Sequence, residues 1–330
     1  MLKKNSFLFV AALIISTSFI GCDEEEDETL LGNWTENSEF EGQPRANAVS
    51  FVLNYKAYLV SGYDGDDYYK DTWEYDPSSN WWKKMDDFPG AARTAGVGFS
   101  IGAKGYFGTG YDGDSKLSDF WEFDPLQTPQ WNQKADFAGD ARYGAIGYSV
   151  GGFGFIGTGY SDNGDTKDFW KYSPESNSWE QIVSIGGSKR HDAIAFVIEN
   201  NAYIGTGISN GTYEDDFWKY DASNETWQEM ESLTVDDSYS IVRSCAQSFT
   251  INGFGYVGGG YKSGIRSDFW AYNPNTDVWT QVTSFEGTAR QDAICFSMGN
   301  YGYVATGSNG SYYFDDIWVF DPTATYDSED

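Results

Sequence analysis

The sequence predicts an all-β protein built from six similar units, and three observations lead to this prediction. The 330-residue chain contains 38 glycines and 18% aromatic residues, which favours short strands and tight turns over helices. Six arginines recur at separations of 48, 49, 48, 53 and 47 residues, and each opens an apolar, strand-like segment. Six Asp-x-Trp motifs recur in the same register. A period near fifty residues is typical of propeller blades.

The two repeated markers place the first and third strands of each unit. The repeat arginines are Arg45, Arg93, Arg142, Arg190, Arg243 and Arg290. The motifs are Asp71-Thr72-Trp73, Asp119-Phe120-Trp121, Asp168-Phe169-Trp170, Asp216-Phe217-Trp218, Asp268-Phe269-Trp270 and Asp316-Ile317-Trp318. Each unit therefore begins with an arginine before its first strand, and its third strand contains the Asp-x-Trp motif.

Turn residues place the second and fourth strands. Pairs such as Asn252-Gly253 supply the positive φ angles of a hairpin after the first strand. The second strand ends in Gly-Thr-Gly or a variant, as at residues 108–110. Asp76-Pro77 and its equivalents begin a turn after the third strand, and a second tryptophan follows. Each unit is thus a four-stranded antiparallel blade.

The last repeat lacks its outer strand, and the N-terminal segment matches the missing part. The chain stops at Asp330 without the second tryptophan, whereas residues 34–42 resemble residues 279–287 in outline. We therefore expect residues 31–330 to form a six-bladed propeller whose ring is closed by the N-terminal strand. Such closure removes the open sheet edges that promote aggregation.

The repeat resembles the kelch repeat in its strand-ending glycines, aromatic-Asp-Pro turn, following tryptophan and arginine entering the next blade. The resemblance covers about residues 31 to 322, with Gly-Thr-Gly where kelch repeats usually have adjacent glycines. It implies a six-bladed kelch-type propeller of the galactose oxidase/kelch-like superfamily.

The N-terminus is predicted to be a targeting segment. Lys3 and Lys4 precede the apolar run 7–15, as in a secretory signal peptide, here residues 1–21. Residues 19–22 resemble the lipobox of bacterial lipoproteins, which implies lipidation of Cys22. The acidic residues 22–30 form a predicted tether and resemble an outer-membrane sorting signal. We expect a lipid-anchored protein of the bacterial outer membrane, exposed at the cell surface or, alternatively, facing the periplasm.

Charge and composition exclude several classes of partner and cofactor. The net charge of −29 opposes binding to nucleic acid or, apart from the anchor, to an anionic membrane. A galactose-oxidase-like copper site or a zinc site needs more nitrogen and sulfur ligands than His191 and two cysteines provide. Those cysteines, Cys245 and Cys295, are expected to be unpaired thiols. We predict no cofactor. The acidic loops at 64–67, 112–114 and 162–165 carry oxygen ligands suited to a calcium site, but the sequence favours ordinary solvated turns there.

One face of the propeller is predicted to carry the site. The arginines, the residues after each Gly-x-Gly and the Asp-x-Trp aspartates share that face, because successive strands are antiparallel. The arginines are expected nearest the axis, where they bind an anionic or hydroxyl-rich ligand or form structural ion pairs with the aspartates. Four tyrosines on this face suit sugar stacking or protein contact. They are Tyr63, Tyr111, Tyr160 and Tyr261.

Residues that break the six-fold pattern suggest the chemistry. Arg190 is followed by His191 and Asp192, and Arg290-Gln291-Asp292 places a second carboxylate at the equivalent position. One hypothesis is a recognition module for a glycan or for an extracellular or outer-membrane protein. The alternative is a sugar mutarotase or epimerase acting on an acidic sugar such as sialic acid, because six-bladed kelch-like propellers include bacterial sialic-acid mutarotases. In that case His191, Asp192 and Asp292 transfer protons, and neighbouring arginines hold the substrate carboxylate.

Overall fold

The computed structural model describes residues 31–236 and 239–327, which form small antiparallel sheets. The predicted signal peptide, Cys22 and the acidic tether lie outside the described residues. Within the described part of the chain, no helix is long and apolar enough to cross a membrane.

Six four-stranded sheets form the blades of a propeller. From the inner strand outward, blade 1 contains Val49–Leu53, Lys56–Val60, Thr72–Asp76 and Trp81–Lys84; blade 2 contains Val97–Ile101, Lys104–Gly108, Phe120–Phe123 and Trp131–Gln133; blade 3 contains Ile146–Val150, Phe153–Gly157, Phe169–Ser173 and Ser178–Ile182. Blade 4 contains Ile194–Ile198, Asn201–Gly205, Phe217–Asp221 and Thr226–Glu229; blade 5 contains Gln247–Ile251, Phe254–Gly258, Phe269–Asn273 and Val278–Val282; blade 6 contains Ile294–Met298, Tyr301–Ala305, Asp316–Thr325 and Leu31–Glu39.

The inner strands lie side by side around a central axis, and their alternate side chains fill the space between blades. In blade 1, Val49, Phe51 and Leu53 are buried. Phe51 packs against Gly105 of blade 2, where an added Cβ would lie 2.2 Å from the ring. A small residue at this position therefore allows the neighbouring blade to approach.

The N-terminal strand closes the ring, as the sequence predicts. Leu31–Glu39 pairs antiparallel with Asp316–Thr325, and Trp34 lies opposite Phe320. The Trp34 side chain is fully buried, and its Nε1 donates to the carbonyl oxygen of Thr283 at 3.3 Å. The first and last segments of the described chain thus complete one blade.

The two ends of the blades differ in structure. The end where each inner strand begins is called the upper face; it carries the long loops between second and third strands. Short strands reinforce these loops at Tyr160–Ser161, Gly164–Asp165, Ile208–Ser209 and Thr212–Tyr213. Further short strands lie in the segments that lead to the inner strands of blades 3 and 5, at Arg142–Tyr143, Thr234–Asp236 and Tyr239–Ser240. The opposite end, the lower face, carries the hairpins that follow the inner strands, such as Asn54-Tyr55.

Candidate functional site

A buried arginine and an aspartate of the same blade form an ion pair in each of the six blades. The pairs are Arg45–Asp71, Arg93–Asp119, Arg142–Asp168, Arg190–Asp216, Arg243–Asp268 and Arg290–Asp316. We call these residues the ion-pair belt. Each arginine exposes at most 1% of its surface. The ion pairing that the repeat suggests is therefore present in every blade.

Blade 3 illustrates how the belt engages each guanidinium. Arg142 Nε donates to the carbonyl oxygen of Asp140 at 2.8 Å. Nη1 donates to the carbonyl oxygen of Thr158 at 2.8 Å and to Asp168 Oδ1 at 2.7 Å. Asp168 Oδ2 accepts from Arg142 Nη2 at 3.0 Å and from Trp170 Nε1 at 2.7 Å. Burial raises the pKa of Asp168, but the hydrogen bonds and charge of Arg142 outweigh it and hold this pKa below its usual value.

The structure corrects the expectation that the arginines lie nearest the axis. Their side chains turn into the blades, where aspartate carboxylates balance their charge and backbone carbonyl oxygens accept their hydrogen bonds. None of the six lines the cavity at the central axis. Ligand binding by these arginines stays a prediction that their burial does not favour. The residues two positions after the arginines lie at the axis instead.

Six backbone hydrogen bonds link these axial residues into a closed circle. Each amide donates to the carbonyl oxygen of the equivalent residue in the preceding blade, at 2.8 to 3.1 Å. All six residues have φ between 51° and 59°, in the left-handed region. We call this circle the axial ring. Its members are Asn47, Ala95, Gly144, Asp192, Cys245 and Asp292.

The axial ring forms the floor of a cavity on the upper face, which we call the axial funnel. The cavity has a volume of about 480 Å³, within the range of small-ligand sites. Its wall rises mainly over blades 2 and 3. The wall residues are Thr94, Tyr111, Lys116, Tyr143 and Tyr160.

The opposite side of the floor carries two carboxylates. Asp192 and Asp292 flank Cys245 in the ring. Burial and the negative charge of Asp192 raise the pKa of Asp292 to about 7. Burial also raises the pKa of Asp192, and burial together with both carboxylates raises that of Cys245. These shifts are typical of acidic groups that are removed from water and lie close to one another.

A histidine next to the ring is held by a carboxylate from blade 3. His191 Nδ1 lies 2.5 Å from Asp165 Oδ1, and Asp165 Oδ2 accepts from the backbone amide of Asn210 at 2.9 Å. The Asp165 carboxylate therefore orients the imidazole with its Nδ1 proton toward itself. His191 Nε2 then lies 3.6 Å from Asp192 Oδ2. This arrangement brings together the histidine and one carboxylate that the sequence singles out.

Aromatic rings follow one side of the upper face in an uninterrupted series. Successive ring centroids are 4.6 to 6.5 Å apart. The series, which we call the aromatic crescent, contains Tyr313, Tyr63, Tyr68, Tyr111, Tyr143, Tyr160 and His191. Of the four tyrosines expected on this face, Tyr111 and Tyr160 line the funnel, Tyr63 lies farther along the crescent, and Tyr261 is partly exposed in blade 5.

The acidic loops form turns stabilised by their own backbone. Asp64 Oδ1 accepts from the amides of Asp66 and Asp67, and Asp112 Oδ1 accepts from the amide of Asp114. Within residues 31–236 and 239–327, no three histidine, cysteine or acidic side chains are grouped to hold a metal ion. Cys245 and Cys295 are both free thiols.

Sequence reasoning missed most of the funnel. Tyr143 directly follows a repeat arginine, and Lys116 lies on a loop, so neither interrupts a motif. Asp165 contacts a histidine 26 residues away. One sequence signal could have located the floor of the funnel. At the position two residues after each arginine, the residue type changes from blade to blade although the flanking pattern repeats.

Comparisons with known proteins agree with this architecture. The model of the KLHDC2/KLHL20/DRC7 kelch-repeats domain matches residues 141–289, and the kelch motif model matches residues 44–89. No curated protein sequence matches the chain. The solved structure of YjhT superposes with a TM-score of 0.74 at 14% identity, covering 85% of this chain and 95% of that one. At this identity the match shows the fold alone. Closed blades, kelch models and structural match together make the chain a six-bladed β-propeller of the kelch type.

Proposed function

We propose that this protein is a recognition module that binds an extracellular partner protein through the axial funnel. The observation that carries the proposal is the asymmetry of the funnel within a repeated fold. The ion-pair belt is the same in all six blades, whereas the axial ring and its wall differ from blade to blade. Structural requirements recur with the repeat, but a partner contacts each blade differently.

Two further features support a binding role. Kelch propellers generally act as protein-binding modules. The aromatic crescent adds tyrosines, which provide large, rigid contact area with a polar tip and are enriched at protein interfaces. Sugar rings also stack on such faces, so a glycan is the main competing ligand.

The proposed location outside the cytoplasm rests on the sequence of residues 1–30 alone. In this proposal Cys22 carries the lipid, and the acidic residues after it form a tether to the propeller. Mass spectrometry of the mature N-terminus tests it. A diacylated or triacylated Cys22 is expected, and an unprocessed Met1 would contradict the anchor.

Site-specific photo-cross-linking in the native cell tests the binding role. A photo-reactive residue replaces Tyr160 in the funnel wall or, as the matched control, the exposed Tyr55 on the lower face. We expect a protease-sensitive adduct from position 160 and none from position 55. An adduct only from position 55 would contradict the funnel, and an adduct removed by glycosidases but not by proteases would identify a glycan instead.

The geometry around His191 favours a second candidate, a sugar mutarotase. Its Nε2 lies 3.6 Å from Asp192 Oδ2, so the two groups are placed to act as base and acid. The base takes the proton of the anomeric hydroxyl while the acid protonates the ring oxygen. The ring C–O bond then breaks as a carbonyl forms, and reclosure on the other face returns both protons.

Proton NMR of freshly dissolved sugars tests this second candidate. Acceleration of anomer exchange by the protein, lost in His191→Gln and Asp192→Asn but kept in Tyr55→Ala, would support it. An unchanged exchange rate for neutral sugars and for sialic acid would reject it. The burial of the repeat arginines leaves Lys116 as the only lysine or arginine among the described residues that line the funnel, which disfavours an acidic sugar.

A further inference from the structure

The funnel has two carboxylates at its floor, and among the described residues the only basic side chain within 4 Å of either is His191, whose Nε2 lies 3.6 Å from Asp192 Oδ2. Asp192 and Asp292 both line the cavity. Among the described lining residues, Lys116 is the only lysine or arginine, and its Nζ pairs with Asp162 at 2.6 Å. Asp162 lies at the rim, with 88% of its side chain exposed. The lysine is therefore engaged away from the floor.

The environment of these carboxylates opposes their ionisation. Burial raises the pKa of both Asp192 and Asp292, and the two groups repel one another when charged. Even partial burial of a carboxylate is unfavourable unless a counter-charge compensates it. A cation delivered by a ligand would remove this cost, whereas an anion would increase it.

The wall in front of the carboxylates is aromatic. Tyr111 and Tyr143 have ring centroids 5.8 Å apart, and Tyr143 and Tyr160 have centroids 5.5 Å apart. Tyrosine faces attract ammonium and guanidinium groups, more strongly where water is excluded.

The floor leaves room for a side chain to reach the carboxylates. The Asp192 carboxylate extends over Gly144, where an added Cβ would lie 2.4 Å from Asp192 Oδ1. Ala95 is the next ring member, so the space between the tyrosine wall and the carboxylates is not filled. The cavity volume of about 480 Å³ accommodates a lysine or arginine side chain.

We propose that the group received at the bottom of the funnel is a protonated amine or guanidinium, presented as a lysine or arginine side chain of the partner. This inference rests on the proposed function. In the complex, Asp192 and Asp292 accept hydrogen bonds from the cation, while Tyr111, Tyr143 and Tyr160 contact the methylene groups and the charge. The net charge of −29 attracts such a partner at long range.

Isothermal titration calorimetry with small probes tests the inference on the purified full chain. The probes are N-acetyl-lysine methylamide, N-acetyl-arginine methylamide, the neutral N-acetyl-norleucine methylamide, N-acetylneuraminic acid and the free diamine cadaverine. We expect one of the two cationic amino-acid probes to bind at least tenfold more tightly than the norleucine probe. Norleucine binding as well as either, or tighter binding of N-acetylneuraminic acid, would overturn the inference. Tighter binding of cadaverine than of both would favour a free amine over a side chain.

Matched variants locate the binding group. Asp192→Asn and Asp292→Asn, singly and combined, are expected to weaken binding of the cationic probe at least tenfold, whereas Asp66→Asn on an exposed upper-face turn is expected to leave it unchanged. Equal binding by the double variant and the Asp66 control would overturn the inference. Circular dichroism verifies that each variant is folded, and the single variants serve if the double variant is not.

The cross-linking experiment separates this inference from the proposed function. If position 160 captures a protein that the cationic probes fail to displace, the funnel binds a protein but not through a cation. If the cationic probes bind while position 160 captures no protein, the site recognises a free amine and the proposed protein-binding function fails.

Discussion

The arginines of the ion-pair belt lie only two residues before the members of the axial ring, yet the two regions follow opposite rules. The belt keeps the same residue types in all six blades and forms an arginine–aspartate ion pair in each. The ring keeps the same backbone conformation but changes its side chains from glycine to aspartate. The fold thus requires particular residue types at the belt in every blade. At the ring it requires only a backbone conformation, so the side chains there are free to differ for recognition.

Asparagine, aspartate and glycine tolerate the left-handed conformation better than other residues. Backbone geometry therefore accounts for part of the ring composition. It does not account for Ala95 and Cys245, which adopt the same conformation, nor for the placement of both aspartates opposite the tyrosine wall. The difference between the two regions is therefore one of side-chain freedom, and three substitutions test it.

The largest effect is expected from breaking the belt. Arg142→Met leaves the partly buried Asp168 carboxylate without its partner, so the free energy of unfolding should fall by about 3 kcal/mol. Urea denaturation followed by tryptophan fluorescence measures it. Lys84→Met is the control, because Lys84 pairs with Asp87 at 3.3 Å while both side chains are about half exposed. That change should cost less than about 1 kcal/mol. Equal losses would mean that the belt does not stabilise the blades.

The fold was predictable from the sequence because the belt repeats. Each arginine has a carboxylate 25 or 26 residues later in the same blade, and six copies of this spacing distinguish a structural rule from chance. The closing strand was predictable for the same reason, since Trp34 occupies the position of an outer tryptophan. The arginines were expected nearest the axis because they open the innermost strands, but their side chains turn into the blades.

The funnel was harder to predict because its residues do not repeat. Ala95 and Gly144 contribute through their small size, and Tyr143 contributes through its position next to them. Only the closed circle of backbone hydrogen bonds shows that these residues are neighbours. Asp165 reaches His191 from the preceding blade. His191, Asp192 and Asp292 were found in the sequence because they break the pattern, but their distances depend on how neighbouring blades meet.

A smaller effect is expected from removing one charge of the ring, and it should depend on pH. The pKa of Asp292 is about 7 in the folded protein, against about 3.9 for an unfolded aspartate, so the folded state binds more protons between these values. The free energy of unfolding therefore falls as pH rises from 4 to 7. Asp292→Asn should remove the part of this slope that Asp292 causes and stabilise the protein by about 1–3 kcal/mol above pH 7, with the smallest change at pH 5.

Urea denaturation at pH 5, 6, 7 and 8 measures this dependence. Asp66→Asn, on an exposed turn, corrects for the general effect of removing one negative charge from an acidic protein. If the two variants change stability in parallel at all four pH values, the Asp292 carboxylate does not carry the buried charge described above.

The smallest change in stability is expected from Gly144→Ala, and it tests whether ring side chains act independently of the backbone. Gly144 has φ of +59°, so alanine should cost about 1 kcal/mol through backbone strain, and its Cβ would displace Asp192 Oδ1. Gly102→Ala is a matched control, because Gly102 has φ of +60° and no atom within 4 Å of an added Cβ. Thermal denaturation should show similar losses for both variants, since the displaced carboxylate can rotate away. Binding of the cationic probes should weaken only in Gly144→Ala, because only there does the carboxylate move. Equal probe affinity in the two variants would mean that the position of Asp192 over Gly144 has no part in recognition.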